Sequence, residues 1–210
     1  MTGRIMPGVL RVTAVLLLCI LVAGCVSQRK GAFASDDPEE AEAAYVRLGL
    51  AYIQNDRYDR ARRHLDRALE INDESAPAIA AKGLISQEEG EYELAEDQFR
   101  RALDLNADYT RGRSHFGVFL YNRGRYQEAL EQFRAASEDT DYENRAGVFM
   151  NLARTASRMG RHDEAAAAYQ RAMQLKRGNM RAHIGAVTSL IDAGRYAEAR
   201  PLYRQFRMRI

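Results

Sequence analysis

The chain has 210 residues but only two cysteines, Cys19 and Cys25, and both fall within its first 25 positions. The remainder therefore forms no disulfide and offers no thiolate nucleophile or thiolate metal ligand. Histidine is also sparse. His64, His115, His162 and His183 lie far apart, with no His-x-x-x-His pair and no Glu-x-x-His set to hold a metal. No Gly-x-x-x-x-Gly-Lys loop cradles a phosphate, and no Gly-x-Ser-x-Gly elbow presents a nucleophile. Neither sign of charge dominates, at 31 basic and 29 acidic residues, so no large net field draws in nucleic acid. Long apolar runs are missing too. The longest, Val12 to Val22, covers 11 residues, whereas a helix needs roughly 20 to cross a bilayer core. What is abundant is Glu and Arg on helix faces, where an acid meets a base four residues on. Paired carboxylates are too frequent in such a pattern to signal catalysis. The expectation is a binding scaffold, not an enzyme, with no cofactor and no metal.

The apolar run has a clear context. Arg4 and Arg11 give a positive start, Val12 to Val22 a short apolar middle, and Ala23-Gly24 a small-residue break. That order describes a secretory signal. The segment Leu21-Val22-Ala23-Gly24-Cys25 resembles a bacterial lipobox, although Val22 stands where leucine is commoner. The resemblance implies cleavage before Cys25 and lipid on its sulfur and new amino group. The alternative is an ordinary signal with a chance cysteine. Stable anchoring takes more than one acyl chain, which a triacylated cysteine supplies. Val26 and Ser27 follow with no aspartate, which by resemblance to Gram-negative lipoproteins implies delivery to the outer membrane, facing the periplasm. Loss of the signal removes two arginines and leaves 29 bases against 29 acids. Residues 1–24 are thus read as signal, and 25–38 as lipidated cysteine and tether. Gly31, Ser35 and Pro38 mark the tether, which reaches on the order of 20 Å.

The rest, 39–210, is written in repeats. Similar segments begin at Tyr58, Tyr92, Tyr126, His162 and Tyr196, spaced 34, 34, 36 and 34 residues. Three positions on stands a small residue: Ala61, Ala95, Ala129, Ala165 and Ala199. Four further on stands a large one: Leu65, Phe99, Phe133, Tyr169 and Tyr203. Ala68, Ala102, Ala136 and Ala172 follow, with Phe206 breaking the series. The preceding segments carry Gly49, Gly83, Gly117 and Ala153 in register, and Gly90, Gly124, Gly160 and Gly194 mark turns, with Asp56 in the first copy. Apolar residues three and four apart make amphipathic helices, and a turn glycine reverses the chain within a few residues. The unit is a helix, a tight turn and an antiparallel helix. It resembles the tetratricopeptide repeat, in five copies at 42–75, 76–109, 110–145, 146–179 and 180–210. The resemblance implies an all-α right-handed superhelix, with a concave face lined by the first helix of each pair. The longer connection Ser137 to Asn144 carries four acids. It lacks EF-hand ligand spacing and reads as a solvated turn. Tyr45, Tyr52 and Tyr92 read as repeat packing, not as a base-stacking platform.

On that geometry Val46, Leu50 and Ile53 point into the groove, joined by Ala80 and Leu84, then by Val118 and Tyr121. The fourth repeat changes character with Met150, Arg154 and Arg158. Repeat domains that clamp acidic chaperone tails use Lys and Asn where Val46 and Leu50 stand, so that ligand class does not fit. An apolar groove suits an amphipathic helix or an extended apolar segment. The alternatives are that the tether or a helical turn fills it, or that neighbouring side chains close it.

Two stretches go beyond the generic repeat: "AYVRLGLAYIQNDRYDRARRHLDRALEIN" and "HFGVFLYNRGRYQEALEQFRAASEDTDYENRAGVFMNLA". With the lipobox ahead of them, they resemble the PilF/PilW family of type IV pilus biogenesis lipoproteins. The segment from Ala136 to Leu152 is the most specific part. The resemblance implies a pilotin, anchored to the outer membrane, that helps the pilus secretin localise and multimerise there and so supports twitching motility. Other family members support pilus assembly or stability. Val46, Leu50 and Ile53 would then meet a secretin segment. Relatives usually carry one more repeat, so Tyr203, Phe206 and Ile210 end this chain with no helix stacked after them. A partner or a second copy would cover that edge, or the chain is a naturally short member. The rival reading is another outer-membrane repeat lipoprotein that regulates cell-wall enzymes or barrel assembly.

Overall fold

A computed structural model of the chain describes residues 37–207, without the side chain of Phe206. The signal, Cys25, the tether up to residue 36 and Ile210 lie outside the described residues; Pro38, read as the end of the tether, instead opens the first helix, capped by Asp37. Those described form ten helices: α1 (Pro38–Ile53), α2 (Tyr58–Ile71), α3 (Ala76–Glu88), α4 (Tyr92–Leu105), α5 (Thr110–Asn122), α6 (Tyr126–Glu138), α7 (Arg145–Arg158), α8 (His162–Leu175), α9 (Met180–Asp192) and α10 (Tyr196–Arg207). They pair in order, α1 with α2 through α9 with α10.

The turns within pairs follow from backbone chemistry. After each first helix one residue takes the left-handed conformation: Asp56 (φ 55°), Gly90, Gly124, Gly160 and Gly194. The next amide then bonds back five residues, as in Arg57 N to Tyr52 O at 2.9 Å and Arg125 N to Leu120 O at 2.9 Å. This satisfies carbonyls the helix end leaves open. Glycine takes that conformation freely, and Asp56 takes it at a cost.

The small-and-large register sets how closely each pair approaches. A Cβ added at Gly117 would lie 2.7 Å from the Phe133 ring, and one at Gly49 only 2.6 Å from Leu65 Cδ2. Leu65, Phe99 and Phe133 are consequently fully buried. A core of Phe99, Phe116, Phe119, Leu120 and Phe133 runs through the middle pairs, where Phe99 and Phe119 meet with ring centroids 5.7 Å apart.

The first helices α1, α3, α5, α7 and α9 touch one another in succession, whereas the second helices do not. The first helices therefore crowd together on the concave side. Ion pairs stitch successive pairs along the outside, among them Lys82–Asp66 (2.8 Å), Arg134–Glu164 (2.6 Å) and Arg195–Asp163 (2.9 Å). Being solvent-exposed, they add little stability individually.

Candidate functional site

The amino-terminal ends of the inner helices do not close against one another. They leave a cleft of about 450 Å³ walled by α1, the start of α3, the α4–α5 turn and the α6–α7 loop. Val46 and Leu50 line it from α1, and Tyr109 and Tyr142 face them. The rim carries both signs of charge, with Glu42, Asp108 and Asp139 beside Arg47 and Arg111. A greasy floor with a mixed polar rim binds apolar side chains of a polypeptide and fixes their orientation through the rim.

Local sequence builds each wall. Tyr109 precedes α5, and its ring lies where a side chain at position 112 would be: a Cβ on Gly112 would stand 2.4 Å from Tyr109 Cδ1. Burial pushes the Tyr109 phenol up to about 12. The Ser75 hydroxyl caps α3 by accepting from Ala78 N at 3.2 Å and donates to the Glu42 carboxylate, tying α1 to α3 beside the cleft.

The acidic connection is the largely exposed turn expected, but Asp139 and Tyr142 within it also form one wall of the cleft. The Asp139 carboxylate accepts from Thr110 Oγ1 at 2.5 Å, Asp141 N at 3.0 Å and Tyr142 N at 3.1 Å. The Thr110 bond, with those from the two amides, holds the Asp139 carboxyl below the usual carboxylate range. Arg145 Nε donates to Ser137 O at 2.8 Å and closes the loop. A short polar side chain that satisfies backbone amides two and three residues on makes a turn of its own. That turn carries Tyr142 into the cleft.

The groove residues named from sequence separate in space. Val46 and Leu50 share the cleft, Val46 at its buried base with 5 % exposure and Leu50 half-buried above the same cluster. Ile53 packs half-buried against the Val46–Leu65 cluster. Ala80 is buried at 2 % exposure, so it supports the groove without offering surface, while Leu84 packs half-buried on the central core. Val118 and Tyr121 border a separate crevice of only about 40 Å³. The Arg154 guanidinium lies 5.1 Å from the Tyr121 ring centre, and Arg158 Nε donates to its hydroxyl at 3.3 Å. The two arginines of the fourth repeat thus meet the aromatic of the third and fill the groove there. Tyr109, Tyr142, Thr110 and Asp139 escaped sequence reasoning. Tyr109, Asp139 and Tyr142 lie in connections and Thr110 at the very start of α5, outside the buried helical period, and the only cue was the two extra residues in the repeat spacing.

The histidines sit in packing. His64 stacks on Tyr52, centroids 5.2 Å apart and planes 3° apart. Burial lowers the His115 pKa. His183 bonds the Leu202 carbonyl at 2.7 Å. Among the described residues no three Cys, His, Asp or Glu side chains gather to hold a metal, and no helix is long and apolar enough to cross a membrane.

Tetratricopeptide-repeat family models match residues 42–75, 76–109, 110–178 and 156–207. The type IV pilus assembly protein PilF of Pseudomonas aeruginosa is 33% identical over 198 residues, covering 93% of this chain and 79% of the relative. The chain belongs to the PilF family of type IV pilus assembly proteins. A solved structure from the functional characterisation of P. aeruginosa PilF superposes with a TM-score of 0.72 at 33% identity, over 81% of this chain and 77% of that one. The structure of PilW, a widely conserved type IV pilus biogenesis factor, shares the fold, with a TM-score of 0.66 at 21% identity over 80% and 77% of the two chains. A PilF-family chain is a non-catalytic repeat scaffold of pilus assembly. Its working parts are binding surfaces, and the cleft at Val46 and Leu50 is the candidate among them.

Proposed function

We propose that this PilF-family chain is a lipid-anchored pilotin. Cys25 carries the lipid, the tether of 26–36 holds the repeats at the periplasmic face of the outer membrane, and the concave cleft binds a segment of the pilus secretin. The observation that carries this reading is the cleft itself. Val46, Leu50, Tyr109 and Tyr142 form an apolar and aromatic floor inside a rim of both charges. Such a site takes one or two apolar anchor residues of a helix or extended strand, with polar neighbours paired at the rim. Bringing the secretin to the membrane that the lipid already occupies raises its local concentration there, which favours multimerisation without any chemical step.

The test is deletion of the gene, followed by membrane fractionation and blotting for heat-resistant secretin multimers. Complementation uses wild type, Cys25→Ser and Leu50→Glu, the last checked for fold by circular dichroism. The expected result is that multimers vanish or move to the inner membrane, and that only wild type restores them. Normal outer-membrane multimers in the deletion strain would refute the pilotin role. Full restoration by a folded Leu50→Glu protein would move the contact out of the cleft.

A further inference from the structure

The fifth pair is built differently from the other four. In the first three, Gly49, Gly83 and Gly117 leave room for Leu65, Phe99 and Phe133; Ala153 is the small residue at that place in the fourth, and each large residue, Tyr169 included, is under 9 % exposed. Val187, a larger residue, stands in that place in α9 and is buried at 9 % exposure. Tyr203, the residue due to enter, is 52 % exposed. Helix α10 settles instead through Ala199 and Leu202 against Leu190 and Ala166, and the Leu202 carbonyl bonds His183.

This seating leaves a cavity of about 820 Å³ between α8, the α8–α9 turn, the start of α9 and α10. Met173, Met180 and Leu202 form its apolar part. Four carboxamides, on Gln170, Gln174, Asn179 and Gln205, face it together with Arg177, and among the described residues no acidic one lines it. Two of the amides are already oriented. Asn179 Oδ1 accepts from Ala182 N at 3.1 Å, and Gln174 Oε1 accepts from Arg171 at 2.8 Å. Both leave their NH2 groups to donate elsewhere.

The balanced net charge of the chain conceals a strong polarity. From Asp37 to Asp108 there are 18 acids and 9 bases, whereas from Arg171 to Arg207 there are 8 bases and 2 acids. Those two acids are engaged: Asp192 lies 3.9 Å from His162, and Glu198 pairs with Arg195 at 2.6 Å. Lys176, Arg177, Arg181, Arg200, Arg204 and Arg207 have no carboxylate within ion-pair distance among the described residues. A cavity without acids, in a region of unpaired cations, is complementary to an acidic ligand.

We propose that this cavity is a second docking site, separate from the concave cleft, for an acidic peptide segment in extended conformation. Gln170 and Gln205 can both donate and accept while Asn179 and Gln174 donate, which matches the alternating N–H and C=O groups of a peptide backbone. A lipid phosphate only accepts and would leave the Gln170 and Gln205 oxygens without partners. An extended segment turns alternate side chains to opposite faces. Apolar ones then rest on Met173, Met180 and Leu202, and the intervening carboxylates turn toward Arg177. This site makes no use of the secretin contact and stands or falls independently of it.

The probe is a fluorescein-labelled hexapeptide alternating glutamate and leucine, titrated against the full chain in detergent micelles and followed by anisotropy. The expected result is saturable binding that weakens about tenfold with Arg177→Glu, the loss of one charge-assisted contact. Arg177 is an exposed turn residue, so the fold survives its replacement. Gln174→Ala weakens binding to a smaller degree, and Leu50→Glu leaves it unchanged. The proposal is overturned by any of three results: no saturable binding, equal binding of the lysine–leucine peptide, or an affinity indifferent to Arg177→Glu. It is also overturned if Leu50→Glu abolishes binding, which places the peptide in the concave cleft, or if phosphatidylglycerol vesicles bind through Arg177 while the peptide does not.

Discussion

Replacing Gly117 by alanine sets two known effects against each other. Alanine inside an exposed helix gains about 1 kcal/mol over glycine from backbone entropy. Here the new methyl would lie 2.7, 2.9 and 3.0 Å from three atoms of the Phe133 ring. Carbon atoms pack best at about 3.5–4.0 Å, so the ring must retreat by roughly 0.7 Å. Phe133 is 1 % exposed and close-packed, and overpacking of this kind costs about 1–3 kcal/mol. The crevice of about 40 Å³ beside the ring gives some relief and sets the cost near the middle of that range. The net change is then a loss of about 1 kcal/mol, or about 2–4 °C in Tm for a chain of this length. Gly83→Ala is the matched control. Its methyl would meet the Phe99 ring at 3.1–3.2 Å, so a shift of roughly 0.4 Å suffices and gain and cost nearly cancel. Thermal melts of both variants, followed by circular dichroism on the chain from Val26 onward, decide the matter. If Gly117→Ala melts at or above wild type, close approach at this slot is not what glycine serves.

Asp56→Gly should stabilise by about 0.5–1 kcal/mol, because glycine holds a positive φ without steric cost. An unchanged urea midpoint would refute the strain assigned to that turn. Arg125 donates to Glu96 at 2.5 Å and to Glu128 at 2.6 Å, and these bonds hold both carboxyls below the usual range. Their contribution is therefore complete above the ordinary glutamate value of about 4.3 and disappears as pH falls through the lowered folded values. Denaturation midpoints measured down a pH series should fall less steeply for Arg125→Ala than for wild type, and parallel profiles would count against the triad. Asp139→Ala should loosen the wall of the cleft, seen as faster amide exchange at Asp141 and Tyr142 with the helices unchanged. Unaltered protection there would mean that the loop is held by Arg145 alone.

The repeat fold was legible because its period is local. Ala61, Leu65 and Ala68 recur with their counterparts at helical spacing, and the structure buries every member of that series up to Ala172. Gly90, Gly124, Gly160 and Gly194 announced the turns, and even the exception at Asp56 was visible in register. The groove was legible only in part. Val46 and Leu50 do line a cleft, but a helical wheel places Ala80 on the same face without saying that neighbouring helices cover it. Tyr121 fell on the predicted face as well, yet its exposure depends on Arg154 and Arg158 from the next pair.

The sequence by itself determined the helix pairs, their turns, their order and the family resemblance, since each depends on residues a few positions apart repeated at a constant interval. Only the tertiary structure decided where a ligand has room. The cleft exists because Asp139 reaches Thr110 across 29 residues and swings Tyr142 inward, and the carboxyl-terminal cavity opens where α10 seats through Ala199 and Leu202 while Tyr203 stays exposed. Both are consequences of how large side chains share volume between helices, and volume is shared among residues that the chain brings together only after it folds.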